Sequence, residues 1–231
     1  MELNFSFLQK TFLLALHGIP TALFITISSL LLATLPAYFL ALARLYKTKF
    51  FSKFATIYIS FIRGIPMVVQ ILIIYSLLPS LLNSIFKFFG NSASVFSMNP
   101  LVYAVTVFTL VTIASLSEVI RAAIMTVDKG QLDAAQALGM KPLQSFKLII
   151  IPQAIQEAIP NLSTLTVSLF KETSLCFLMT VKDITAIAKI EASYGYNYIE
   201  SYIAIFIIYL IVCSLIQLFF YICEVISKIY R

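Results

Sequence analysis

Residues 117–155 read SEVIRAAIMTVDKGQLDAAQALGMKPLQSFKLIIIPQAI. This is the longest part of the 231-residue chain without a membrane-length apolar run, and long apolar segments flank it on both sides. The stretch opens with Glu118 and Arg121 at i and i+3, a spacing that lets them pair on one helix face. Gly130 is expected to interrupt the chain. A short helix is then expected over 132–138, with Asp133 in its first turn, where an anion is favoured, and Gly139 as its C′ residue. Ala134, Ala135 and Ala137 are small enough for a neighbouring backbone to approach closely. Pro142 ends this unit, and residues 145–151 have room for another turn or two before Pro152.

The flanks set the class. Hydrophobic residues make up 61% of the chain and charged residues 11%, whereas soluble domains carry about 25% charged residues. Mean hydropathy is +0.98. This is an all-α integral membrane protein. Apolar runs at 19–43, 54–82, 100–123, 152–179 and 202–222 predict five transmembrane helices, each long enough to cross the hydrocarbon layer. Run 19–43 is too long for a signal-peptide core. Pro36 within it is expected to kink the helix, and Pro100 suits a first helical turn. Residues 1–18, broken by Glu2, Gln9, Lys10 and His17, form an amphipathic lead-in at the interface. Polar loops are expected at 83–99 and 180–200.

Basic residues collect in cytoplasmic loops. Arg44, Lys47, Lys49, Lys53, Arg121, Lys129, Lys141, Lys147, Lys228 and Arg231 fall on one side. Lys10, Lys87, Lys182 and Lys189 fall on the other, with Arg63 and Lys171 counted inside the membrane. The N-terminus is therefore expected outside, and the C-terminus and the 118–155 stretch in the cytoplasm. The formal charge of +6 follows from the same bias and from attraction to anionic lipid. No basic run interleaved with aromatics supports nucleic-acid binding. One histidine and three unspaced cysteines, Cys176, Cys213 and Cys223, offer no metal site. No G-x-x-x-x-G-K-[ST] loop is present to hold a nucleotide, and no nucleophile with a nearby base supports a membrane enzyme. A secondary carrier built from paired broken-helix repeats finds no such repeats.

Charges within a span are expensive and are functional candidates by default. Glu118, Lys171 and Glu172 are the main ones, with Arg63 near the cytoplasmic face. Gln70, Asn161, Ser163, Thr164, Ser168, Thr173 and Ser174 add polar groups that either line a wet path or bridge helices. Glu172, Thr173 and Asn161 are the group types a zwitterion needs.

Several separated motifs converge. Gly18 and Thr21 open the chain; Arg63-Gly64-Ile65-Pro66 with Gln70 follows. Glu118-x-x-Arg121-Ala122-Ala123-Ile124 leads to Val127-x-x-Gly130-Gln131 and Asp133-Ala134-Ala135-x-Ala137-Leu138-Gly139-Met140. Pro152-Gln153-Ala154, Pro160 and Lys171-Glu172-Thr173-Ser174-Leu175 complete the set. Together they resemble the polar amino-acid permeases of binding-protein-dependent ABC importers over nearly the whole chain. Two positions depart from the usual pattern: Asp133 stands for the glutamate of the Glu-Ala-Ala triplet, and Glu172 for an aspartate.

The resemblance implies one permease domain over 1–231, in a multi-pass protein of the bacterial cytoplasmic (inner) membrane. It implies that residues 124–152 form a cytoplasmic EAA coupling loop between helices 3 and 4. Gly130, Gln131, Asp133, Ala134, Ala135, Ala137, Leu138 and Gly139 would couple it to an ATPase. It further implies a homodimer or heterodimer of permeases, two ATPase subunits carrying ATP and Mg, and an extracytoplasmic amino-acid-binding protein. This chain would bind no cofactor and catalyse no reaction. Gln70, Glu118, Asn161, Ser168, Lys171, Glu172, Thr173 and Ser174 are the substrate-pathway candidates.

Overall fold

The computed structural model describes residues 3–89 and 98–229, and every regular element among them is helical. In order these are α1 (Phe5–Ala15), α2 (Ile19–Leu45), α3 (Phe51–Gly64), α4 (Met67–Phe88), α5 (Pro100–Thr126), α6 (Lys129–Ala137), α7 (Pro142–Ser145), α8 (Ile151–Glu172), α9 (Ile184–Ser193) and α10 (Tyr198–Ile229). A π-helical turn, Phe146–Ile150, precedes α8, and a 3-10 stretch, Thr173–Met179, follows it.

Among the described residues, four helical runs are long and apolar enough to cross a membrane: Phe5–Leu45, Met67–Phe88, Pro100–Thr126 and Tyr198–Lys228. The expected fifth, α8, has 22 residues and is about 33 Å long at 1.5 Å per residue. It falls outside this set because Gln153, Gln156, Glu157, Asn161 and several Ser and Thr residues lower its hydropathy below that of the other long helices.

The bundle is built around the α2–α5 pair. Ser29, Ala33, Ala37 and Ala41 recur every four residues on α2, and all four are wholly buried. In lipid, small side chains at this spacing let two helices approach closely, where dispersion and interhelical hydrogen bonds act. Ser29 Oγ donates to the Val105 carbonyl of α5 at 3.5 Å. Val107 and Phe108 of α5 fill the layer around Ile25 and Ile71. Pro36 lies inside α2 without ending it. On the next flank, α8 packs on α5, and α10 packs on α8.

The single apolar run expected over 54–82 is two helices. α3 ends at Gly64, Ile65 is extended (φ −109°, ψ 132°), and α4 starts after Pro66. A residue before proline is pushed from helical to extended backbone, so the break follows from Pro66 itself. α4 also continues to Phe88, through the start of the expected 83–99 loop. Of that loop, residues 90–97 lie outside the described residues. Pro100 opens α5 as expected, and the Asn99 side chain caps it by accepting from Leu101 N.

α1 continues through a 3-10 turn into α2 and packs against α9 and α10. Lys10 Nζ meets Glu191 Oε2 at 3.0 Å, and Asn4 N donates to Glu200 Oε1 at 3.0 Å. Gly18 sits at the turn, where a Cβ would lie 2.3 Å from Ile184 N and 2.5 Å from Asp183 C. Gly18→Ala therefore forces α2 and the start of α9 apart, at about 1–3 kcal/mol for such overpacking. Its melting temperature in detergent should fall clearly. Gly64→Ala, whose Cβ would meet nothing within 4 Å, should melt like the wild type.

Candidate functional site

Periodicity builds the site. On α5, Thr112, Ser115, Glu118 and Val119 share one face; on α8, Asn161, Thr164, Leu165, Ser168 and Glu172 do the same. Both sets follow the three- and four-residue spacing of a helical stripe. Where α5 and α8 pack, these stripes enclose a cavity of about 330 Å³, which Arg63 from the end of α3 also lines. A second hollow of about 460 Å³ lies beyond it, lined by Arg44, Ile59, Ser60, Arg63, Gly64 and Glu118. Arg63 and Glu118 line both.

Glu118 is the pivot. Arg121 grips its Oε2 through Nη2 at 2.8 Å and Nε at 3.3 Å, as the i, i+3 spacing predicts. Arg44, at the end of α2, pairs with Oε1. This second arginine is a tertiary contact, and nothing in the sequence around Glu118 announces it. Among the described residues, no hydrogen bond or ion pair engages Arg63 or Glu172. Thr112 is wholly buried on the cavity wall, and its hydroxyl has no partner among the described residues.

Four of the eight pathway candidates therefore meet: Glu118, Asn161, Ser168 and Glu172. The other four lie elsewhere. Lys171, next to Glu172, is outside the cavity lining, as is Ser174 in the 3-10 stretch. Thr173 is buried, donates to the Phe170 carbonyl at 2.7 Å, and lies 3.4 Å from the Tyr209 hydroxyl. Gln70 is buried and its Nε2 donates to the Ile62 and Ile65 carbonyls, at 2.8 and 2.7 Å. The first carbonyl belongs to the last turn of α3 and the second to the extended residue between α3 and Pro66. Gln70 thus seals a broken helix end, where a bare carbonyl is costly in lipid. The sequence reading passed over Thr112 and Ser115 as lining residues, although their spacing from Glu118 was visible.

In the 118–155 stretch the docking-helix candidates separate by face. α6 starts three residues earlier than expected, at Lys129, because the Asp128 side chain caps it by accepting from Gly130 N at 2.9 Å. Gly130 is thus inside the first turn and does not interrupt the chain, and Asp133 lies in the middle of the helix. Ala135 is buried against the bundle, while Asp133, Ala134, Ala137, Leu138 and Gly139 are exposed. Leu138 is 85% exposed. Gly139 has φ +84° and turns the chain after α6, a conformation glycine adopts at little steric cost. Gln131 accepts from Gln153 Nε2, which also donates to the Ile149 carbonyl of the π-helical turn.

The chain is thus an all-helical membrane protein with a charged, hydrogen-bonding cavity between two of its long helices, an arrangement that membrane transport components use. Residues 29–224 match the family described as binding-protein-dependent transport system inner membrane component, and the chain belongs to it. The L-cystine transport system permease protein TcyL of Bacillus subtilis (strain 168) is 36% identical over 206 residues, covering 89% of this chain and 84% of that one. The octopine transport system permease protein OccM of Rhizobium meliloti is 36% identical over 207 residues, covering 88% and 82%. Among solved structures, an amino acid ABC transporter crystallised with histidines superposes with a TM-score of 0.81 at 30% identity, over 97% of this chain and 99% of that one. The inward-facing MetNI methionine ABC transporter shares the fold, with a TM-score of 0.70 at 14% identity. The chain is a multi-pass inner-membrane permease subunit of the amino-acid ABC importer family, in which ATP hydrolysis belongs to a separate subunit.

Gln70→Ala leaves two carbonyls at the end of α3 without their donor. It should cost about 1–3 kcal/mol of stability, the penalty for an unsatisfied buried polar group. Because Gln70 lies outside the cavity, substrate affinity of the surviving protein should be unchanged. The check is detergent melting alongside ligand binding on the same preparation.

Proposed function

We propose that this chain is half of the membrane channel of an importer for polar amino acids handed over by an extracytoplasmic binding protein. The cavity between α5 and α8 is the substrate path, and α6 with its Gly139 turn is the coupling loop that docks an ATPase. α8 is the fifth crossing despite its polarity, because Asn161, Thr164, Ser168 and Glu172 line the cavity rather than facing lipid. Two such permeases, alike or paired, complete the channel. The N-terminus lies outside and the C-terminus and α6 in the cytoplasm, in accord with the bias of basic residues. Lys10 and Glu191 bridge at the outer end, which suits that arrangement.

The observation that carries this reading is the continuity of α8. Its first turn bonds the docking helix through Gln153 and Gln131, and two turns later the same helix lines the cavity from Asn161 to Glu172. Closure of the ATPases displaces α6, and the bonded start of α8 carries that displacement toward the cavity wall. Leu138 supplies the grip: an apolar side chain 85% exposed in the most hydrophilic part of the chain calls for a partner surface. Asp133, Ala134, Ala137 and Gly139 lie beside it, while Gly130 closes the Asp128 cap, Gln131 bonds Gln153 and Ala135 is buried.

Leu138→Glu leaves the bundle untouched and should abolish copurification of the ATPase, or leave its hydrolysis uncoupled from uptake. Wild-type uptake by this variant in proteoliposomes, with ATPase and binding protein present, would sink the docking assignment. For topology, a cysteine at Ser193 in a cysteine-free background should react with an impermeant maleimide from outside. One at Thr48 should react only after the membrane is opened.

A further inference from the structure

The turn between α2 and α3 sets a basic cluster beside an apolar groove. We propose that this turn binds an anionic phospholipid, with the headgroup on Lys47, Lys49 and Lys53 and an acyl chain in the groove between α2, α3 and α5. Neither part of this site belongs to the substrate path.

The groove encloses about 600 Å³, and its walls include Phe39, Phe50, Phe51, Phe54, Tyr58 and Ile113. Phe50 and Phe51 are 76% and 64% exposed. The Tyr58 hydroxyl is spent on the Leu110 carbonyl at 2.7 Å. The groove therefore offers an occupant rings and aliphatic carbon, and no hydrogen-bonding side chain lines it. A polar ligand there would lose its contacts to water without replacing them. A hydrocarbon chain loses none.

The cations stand at the rim. α2 closes on Lys47, which takes a left-handed conformation (φ +50°), while Thr48 N donates to the Ala43 carbonyl at 3.2 Å, as in a helix C-terminal cap. Ser52 N then donates to the Thr48 carbonyl at 2.9 Å and Phe54 N to the Phe50 carbonyl at 3.1 Å, so α3 begins without slack. Lys49 directly precedes Phe50, and Lys53 directly precedes Phe54, both of which line the groove. All three lysines are exposed, and among the described residues no ion pair engages them. Between Glu2 and Glu118 the sequence has no acidic residue, and Glu118 is held by Arg44 and Arg121. Three uncompensated positive charges thus flank a hydrocarbon groove at the end of a membrane helix. Basic clusters so placed attract anionic headgroups, and lysine stems are long enough to reach them. A second copy of the chain suits this face poorly. Across a two-fold axis the same patch meets itself, and the other copy would bring its own three lysines to it.

The chain has no tryptophan, so Phe54→Trp puts a single fluorescent reporter in the groove. The full-length variant is reconstituted in vesicles of phosphatidylglycerol and phosphatidylcholine in equal parts, with bromine on the acyl chains of one lipid or the other. Bromine quenches at short range, so the two preparations compare the occupancy of each lipid at the reporter. Phosphatidylglycerol should be preferred roughly fivefold or more, the effect of about one cation at an anionic surface. Raised salt should weaken the preference. Phe206→Trp, on the exposed face of α10, should show none. Changing Lys47, Lys49 and Lys53 together to glutamine should abolish the preference, and changing them to arginine should keep it. Both triple variants should melt like the wild type, since the lysines hold no ion pair in the fold. Equal quenching by the two lipids at the groove, or a preference that survives the glutamine changes, would overturn the headgroup assignment and with it the proposal. Absence of quenching by either lipid would mean that protein covers the groove, a second copy included, and would overturn the proposal as well.

Discussion

The close approach of α2 and α5 is the contact on which the rest of the molecule depends. Lipid tails are as apolar as leucine, so two helices in a bilayer gain little from burying oily surface against each other. They gain from dispersion at short range and from the few polar contacts that a short distance permits. Ser29, Ala33, Ala37 and Ala41 provide that distance. The same register delivers Arg44, one turn beyond Ala41, onto Glu118. Packing of small residues thus determines which charge is neutralised at that end of the bundle. Bulkier side chains along that stripe would separate the helices and release Glu118 into the cavity.

Proline handling is a second constraint. Pro66 breaks what composition presents as one span, and the break exposes carbonyls at the end of α3. Gln70, a few residues on, returns to cover two of them. The Arg63-Gly64-Ile65-Pro66 motif and Gln70 are therefore a single device: a corner that releases Arg63 toward the cavity, sealed by an amide. Its polarity within a span, together with its place in the motif, made Gln70 a candidate for lining a path or bridging helices. Its geometry assigns it to the scaffold, while Arg63 at the same corner lines the cavity.

α8 combines two demands that conflict in lipid. Its length suits a crossing, but Asn161, Ser168, Glu172 and Lys171 weaken its apolar character below that of the other spans. Facing most of those groups into a shared cavity with α5 relieves the conflict, because polar side chains there meet one another and solvent instead of hydrocarbon. The start of α8 is also irregular: a π-helical turn whose Ile149 carbonyl is held by Gln153. That turn joins the 118–155 stretch to the helix that carries half of the cavity.

Membrane class, most of the long helices, the Glu118–Arg121 pair and the Gly139 turn were legible in the sequence. Each depends on local composition or on spacing within one helix, which a linear reading contains. α6 opens earlier than local composition suggests because the Asp128 side chain caps it, which places Gly130 inside the first turn. Convergence was not legible. That Asn161, Ser168 and Glu172 meet Glu118 while Thr173 and Ser174 do not depends on the rotation of α8 against α5. That Arg44 closes on Glu118 depends on the register of α2. These are relations between helices distant in sequence, fixed by how small side chains interlock, and only the tertiary structure decides them.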